Sequence, residues 1–309
     1  MGALESRDIH KRYGSTAVLR GVSFTARPGA ITLLAGPNGA GKTTWIRVAT
    51  GLARPQAGQV LFDGQPVPGQ RHRLGVVLNH PSVYPHLNGY DNIRCLAGVG
   101  SWNRRRIHGA VESLGLGLED ARLRRRAGGC SHGEKRLLVL ACALIRDPQL
   151  LLLDEPSLGA DPLVWQRITN TLKYMRDEGR TVLLTGQSLN TLEALVDDVA
   201  VLLDGCVVFH GSLAALRGRR PPRVEVRVRD PEDVGTLLRV ARPLPGAPVG
   251  TFSVPCGSRA EAEEVASRVQ ALGIPLLRLE VREDTLEEAF TSLLDADHGR
   301  EPREDAHAG

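Results

Sequence analysis

Residues 36 to 44 read Gly36-Pro37-Asn38-Gly39-Ala40-Gly41-Lys42-Thr43-Thr44, the pattern GxxxxGK[ST] of a phosphate-binding loop. Glycines let the backbone curl until several N–H groups converge on phosphate oxygens. A helix opening directly after the loop turns its positive end toward the same anion. Lys42 can reach terminal phosphates, and the Thr43 hydroxyl can ligate Mg²⁺. A second feature is Asp154-Glu155, two adjacent acids at the end of the apolar run Leu150-Leu151-Leu152-Leu153. Asp154 is placed to hold Mg²⁺ through water, and Glu155 to polarise an attacking water. Phosphoryl transfer needs both, because the protein's work there is positioning and charge stabilisation. The third feature is Cys130-Ser131-His132-Gly133-Glu134-Lys135-Arg136. Locally it is a capping box, with Ser131 at the N-cap and Glu134 three residues on, ahead of the apolar run Leu137 to Ile145.

These residues need particular elements beneath them. Ile31 to Ala35 reads as a strand before the loop, and Thr44 to Ala49 as a helix after it, the arrangement the loop requires. Leu150 to Leu153 and Thr181 to Leu184 are continuous apolar runs, as expected of parallel strands buried on both faces. Such strands present ligands at their carboxyl ends. Val60-Leu61-Phe62 before Asp63-Gly64, and Val199 to Leu203 before Asp204-Gly205, carry hairpin turns. Leu74 to Leu78 is another buried strand. From Asn88 to about Ile145 the spacing turns helical, with Asn88 capping a helix through Ile93 and Leu96 and a second helix running through Ile107, Val111 and Leu114.

The chain has 309 residues, enough for a sizeable core, with a formal net charge of +4. Its longest uninterrupted apolar run is far short of the ~18–20 residues that span a bilayer. The N-terminus lacks a charged-then-apolar signal segment. A soluble chain is expected, with any membrane role reached through a partner. Five scattered cysteines (95, 130, 142, 206, 256) without a CxxC pair point to reduced thiols rather than a disulfide framework or a zinc site. Of 39 basic residues only four are lysine, leaving 35 arginines. They cluster at 104–106, 122–126 and 217–223 without interleaved aromatics, which favours solvated helix faces over a nucleic-acid surface.

Phosphate loop, Ser-x-Gly helix start, and a Leu-rich Asp-Glu strand about twenty residues later: this order resembles the nucleotide-binding subunit of ATP-binding cassette transporters. The resemblance covers roughly residues 4 to 215. It implies a P-loop NTPase fold, α/β, with a RecA-like core, a β-subdomain and an inserted helical subdomain over about 88–147. It also implies ATP and Mg²⁺ as ligands and a head-to-tail pair with two ATPs sandwiched between loop and signature. Tyr13 matches the aromatic that stacks on adenine. Ser131-His132-Gly133-Glu134 occupy the signature motif that meets the γ-phosphate of the opposite subunit, with Ser131 and Gly133 matching it. Ser157 to Asp161 match the loop that crosses the dimer interface.

Three positions depart from the family pattern. Asn79, in Leu78-Asn79-His80-Pro81, stands where a glutamine links Mg²⁺ and water to the membrane partner. His132 stands where the signature has its first glycine. Gln187 stands where a histidine follows the Thr181 to Leu184 strand. Glutamine can donate a hydrogen bond to a γ-phosphate but cannot exchange a proton near neutral pH. Two expectations stay open: hydrolysis slowed but not abolished, since Glu155 remains, or a site that tolerates the changes.

A boundary falls near Arg217 to Arg223, giving a cassette over 1–218, a small C-terminal α/β appendage over 223–295 and a polar, disordered tail over 296–309. The appendage should contain strands near Val224–Val228, Val249–Val254 and Leu276–Val281, and helices near Val234–Val240, Ala260–Leu272 and Thr285–Leu294. Asp284-Thr285-Leu286-Glu287-Glu288-Ala289-Phe290 resembles the closing segment of the drug- and antibiotic-exporter branch. The resemblance thus implies an ATP-hydrolysing subunit on the cytoplasmic face of the cell membrane, paired with a second cassette, as homo- or heterodimer, and powering a separate transmembrane permease without nucleic acid. The permease contact is expected at Asn79 to Asn88 and the neighbouring helical region. The rival readings are a degenerate regulatory subunit with a competent sister, and a non-transport cassette ATPase.

Overall fold

The computed structural model describes residues 2–80, 82–187, 189–229, 242–244, 248, 250–271, 273 and 275–298. The helix expected near Val234–Val240 lies outside the described residues, as do residues 299–309 of the tail expected over 296–309; residues 296–298 instead continue a helix that ends at His298. The chain divides into two compact units, Met1–Leu213 and Ala214–Gly309.

The first unit opens with β1 (Leu4–Tyr13), β2 (Thr16–Ala26), β3 (Ile31–Ala35), α1 (Lys42–Ala49), β4 (Ala57–Phe62), β5 (Gln65–Pro66) and β6 (Leu74–Val77). The helical stretch follows as α2 (Gly89–Leu96), α3 (Arg104–Ser113), α4 (Asp120–Arg124) and α5 (His132–Leu144). The unit continues with β7 (Leu150–Leu153), α6 (Pro162–Asp177), β8 (Thr181–Gly186), α7 (Leu189–Leu192), β9 (Asp198–Leu203) and β10 (Cys206–Ser212). A short helix, α8 (Leu213–Arg217), comes next.

Two sheets form the frame. One is antiparallel, in the order β2-β1-β4-β5. The other runs β10-β9-β3-β8-β7-β6, parallel from β9 through β6, with β10 antiparallel at its edge. The apolar runs sit where both faces of that sheet are covered: every residue of β3, β7 and β8 is buried. The β4–β5 and β9–β10 turns put both residues of each Asp-Gly pair at positive φ, 55° and 72° for Asp63-Gly64 and 44° and 79° for Asp204-Gly205. That conformation matches the twist of the flanking strands.

Trp45 locks the sheets together through α1. It is fully buried, its ring 4.9 Å from that of Phe24, and its indole N–H donates to Ser6 Oγ at 3.0 Å. Ser6 in turn donates to the Val22 carbonyl at 2.8 Å, so the polar end of the largest core side chain is satisfied. Helix starts follow the sequence: Asn88 accepts from Asp91 N–H, Asn103 from Arg106 N–H, and Asp161 from Leu163 and Val164 N–H ahead of Pro162.

The second unit contains β11 (Arg223–Val228), β12 (Arg242–Pro243), β13 (Thr251–Pro255), α9 (Arg259–Ala271), β14 (Leu276–Arg282) and α10 (Leu286–His298). Its antiparallel sheet has the order β12-β13-β11-β14. Val224, Val226 and Val228 alternate onto one face and pack with Phe252, Val254, Ala262 and Val269. Glu225 lies between them on the strand, buried, and is hydrogen-bonded by Arg223 and Arg282.

Candidate functional site

The loop between β3 and α1 is shaped by close backbone approach. A Cβ on Gly36 would lie 2.4 Å from the Leu202 carbonyl oxygen, and Gly41 has φ 109° as the N-cap of α1. The first helical hydrogen bond of α1 is Trp45 N–H to Gly41 O at 2.8 Å. The N–H groups of Gly41, Lys42, Thr43 and Thr44 therefore leave the helix end without an acceptor in the helix. No acidic residue stands in this first turn. Pro37, Asn38 and Gly39 are exposed at the tip, and Ala40 is buried below it.

Lys42 is buried, and its Nζ donates to the Gly36 carbonyl at 2.7 Å and the Pro37 carbonyl at 3.0 Å. Glu155 Oε1 lies 3.8 Å from the same nitrogen. Burial holds the Lys42 pKa below the usual lysine value, against the opposing pull of Glu155 and Asp154.

The acid pair reaches this loop because β3, β8 and β7 are neighbours and end at the same edge. Thr43 Oγ1 donates to Asp154 Oδ2 at 3.0 Å. Asp154 Oδ1 accepts from Thr185 Oγ1 at 2.6 Å, and Thr185 Oγ1 accepts the Glu155 N–H at 3.0 Å. Gln187 Nε2 donates to both Glu155 oxygens, at 3.1 and 3.0 Å. Glu155 itself has φ 51°. A non-glycine residue in that region costs about 1–3 kcal/mol and persists only where its surroundings enforce it. A hydroxyl and a carboxylate side by side are the hard oxygen donors that Mg²⁺ takes, so Thr43 and Asp154 fit that ion.

Lys42, Thr43, Asp154, Glu155 and Gln187 thus come together in one cluster. The other expected residues lie on separate elements. Asn79 follows β6, half-buried, two residues beyond Val77, whose carbonyl accepts the Asp154 N–H at 2.8 Å. Tyr13 ends β1, 46% exposed, with Lys11 Nζ 4.9 Å from its ring centre. Ser131 caps α5: its hydroxyl accepts the Glu134 N–H at 3.2 Å, and Glu134 Oε2 accepts the Ser131 N–H at 2.9 Å. His132 in the same turn is exposed, and Gly133 is half-buried.

Sequence reasoning missed Thr185, which joins Asp154 to the Glu155 backbone. The only local signal is a hydroxyl residue that interrupts an apolar run at the strand's carboxyl end. It missed Arg136 as well, whose partners lie on the loop after β7.

Comparison with known proteins bears on the family and the fold. Residues 19–158 match the family model described as ABC transporter. The chain is 34% identical over 306 residues to a Nod factor export ATP-binding protein I of Rhizobium sp., covering 94% of this chain and 96% of that protein. It is 32% identical over 295 residues to the daunorubicin resistance ATP-binding protein DrrA3 of Streptomyces coeruleorubidus, covering 92% and 93%. Among solved structures, an ATP-binding subunit of an ABC transporter aligns with TM-score 0.64 at 27% identity, over 70% of this chain and 92% of that one. An ATP-binding cassette in its ADP conformation aligns with TM-score 0.60 at 26% identity, over 69% and 91%. The phosphate loop, the acid pair at its edge and these likenesses lead to one conclusion: the chain belongs to the ABC transporter family, as an ATP-binding and ATP-hydrolysing subunit.

Proposed function

We propose that two cassettes pair head to tail around MgATP, hydrolyse it and drive a separate membrane permease that exports a drug, lipid or similar compound. The observation that carries this reading is the cluster in which Lys42 and Gln187 both face Glu155 while Thr43 faces Asp154. The N–H groups of the 36–44 loop cradle phosphate oxygens, and Lys42 adds a positive charge beside them. Thr43 and Asp154, with Asn79, hold Mg²⁺, which when bound neutralises phosphate charge. Glu155 orients the attacking water, and Gln187 holds that carboxylate in place. Tyr13 offers its exposed ring to adenine. Ser131, His132 and Gly133 of a second copy close the site over the nucleotide, with Glu134 holding their turn through the capping box.

Export is supported by the names of two relatives whose alignments span more than nine-tenths of the chain, and so reach through the second unit. No helix among the described residues is long and apolar enough to cross a membrane. A separate permease supplies the spanning segments, and the chain works on its cytoplasmic face. Its docking surface is an open groove of about 450 Å³ lined by Leu52, Leu78, His80, Leu96, Cys142 and Arg146. Leu52, Leu78 and Leu96 are exposed there, which suits an amphipathic helix of the permease.

Steady-state ATP turnover of the full chain tests the reading. Glu155→Gln should lower it roughly 10²–10³-fold, as removal of one preorganised catalytic group does. Equal turnover in the two proteins would overturn the role of Glu155.

A further inference from the structure

Arg136 lies in the second turn of α5 and is only 7% exposed. A buried guanidinium normally faces a carboxylate. No carboxylate among the described residues pairs with this one, and burial lowers its pKa with no neighbouring charge to offset it. Its acceptors are two backbone carbonyls on the loop after β7. One terminal nitrogen donates to Pro156 O at 3.1 Å and to Leu158 O. These carbonyls belong to the turn that follows Glu155, which Leu158 N–H closes onto Glu155 O at 3.2 Å. The capping box and the apolar face of α5 need no cation at this position. The turn does, because it starts from a left-handed glutamate and presents the buried Pro156 carbonyl, which must be satisfied.

We propose that Arg136 is a positioning residue for the water-orienting carboxylate: it clamps the 155–158 turn so that Glu155 keeps its backbone conformation. The same guanidinium ties the helix that begins at Ser131 to the strand end that carries Asp154 and Glu155. The inference rests on the reading of Glu155 given above.

Two substitutions separate clamping from mere filling of space. Arg136→Met keeps an unbranched apolar stem and donates nothing. Arg136→Lys keeps a cation with donors enough for both carbonyls. In the full chain, Arg136→Met should lower kcat roughly 10- to 100-fold, the scale of a misplaced catalytic group. Affinity for a fluorescent ATP analogue should stay within about twofold, because only a transition-state interaction is lost. Arg136→Lys should recover most of kcat. Hydrogen exchange of the Leu158 amide, read without nucleotide, should quicken in Arg136→Met and slow again in Arg136→Lys.

Wild-type kcat or unchanged exchange in Arg136→Met overturns the clamp. Loss of affinity and kcat together, without rescue by lysine, also overturns it, since that is damage to the core. Glu155→Gln in the same series separates the two readings. If it keeps full turnover, the role of Glu155 falls. If it loses turnover while Arg136→Met does not, the clamp alone falls.

Discussion

Gln187 donates its side-chain amide to both carboxylate oxygens of Glu155, at 3.1 and 3.0 Å. A neutral donor in this place holds the carboxylate whatever the pH, and it has no proton to exchange near neutrality. A histidine would titrate there. Gln187→His is therefore expected to raise ATP turnover severalfold and to give it a pH dependence near ~6.5 that the parent lacks. A pH–rate profile of both proteins checks this. Unchanged turnover would mean that Gln187 does not limit the rate.

Thr185 is a second support for the same acids. Its single oxygen accepts the Glu155 N–H and donates to Asp154, and the residue is fully buried. Thr185→Val keeps the shape and leaves a buried N–H and a carboxylate oxygen short of a partner, at a cost of about 1–3 kcal/mol. Urea denaturation should show that loss, and turnover should fall with it, while Thr185→Ser should restore both. A neutral Thr185→Val would show that water replaces the hydroxyl at no cost.

The contrast between Thr185 and its neighbours shows what the sequence could convey. The phosphate loop was legible because glycine spacing, lysine and threonine act within nine consecutive residues. Asp154 and Glu155 were legible because a continuous apolar run announces a buried parallel strand with a ligand end. Helix starts at Asn88 and Ser131 were legible because a cap bonds three residues away. The Thr185 hydroxyl meets Asp154 only because Leu153 pairs with Leu184 in the register of β7 and β8. Strand order and register are set by packing between distant segments, and no local pattern carries them. The order β12-β13-β11-β14 of the second unit escaped for the same reason, although β11, β13, β14 and α9 each had a local signature. Arg136 reads locally as one residue of a capped helix start, and only the fold brings it to Pro156.

Lys42 carries a pH signature in the nucleotide-free chain. Burial lowers its folded pKa, whereas the unfolded chain keeps the ordinary lysine value near ~10.4. Between those two values the unfolded state binds more protons than the folded one. Stability from this group is then lost as pH falls through the folded pKa and fully present above the unfolded one, so it climbs with pH across that window. Lys42→Met removes the titrating group. Denaturation midpoints followed from pH 8 to pH 10.5 should rise more, or fall less, in the parent than in Lys42→Met. Parallel curves would show that burial does not bias the Lys42 proton.

Ser131 is asked to do two things, and they can be pulled apart. Its hydroxyl already caps α5 by accepting the Glu134 N–H, and Glu134 returns the bond to the Ser131 N–H. In a head-to-tail pair the exposed first turn of α5 must also meet the nucleotide held by the second copy. In the Glu155→Gln background, where slowed hydrolysis is expected to preserve ATP, light scattering should show a dimer with ATP and a monomer without it. Ser131→Ala removes the cap at about 1 kcal/mol and also removes the hydroxyl that would face phosphate. Glu134→Ala breaks the same capping box from its other half but leaves the hydroxyl. If Ser131→Ala loses the ATP-dependent dimer and Glu134→Ala keeps it, the hydroxyl acts on nucleotide. If both lose it to the extent that their helix stability falls, Ser131 serves only as a cap.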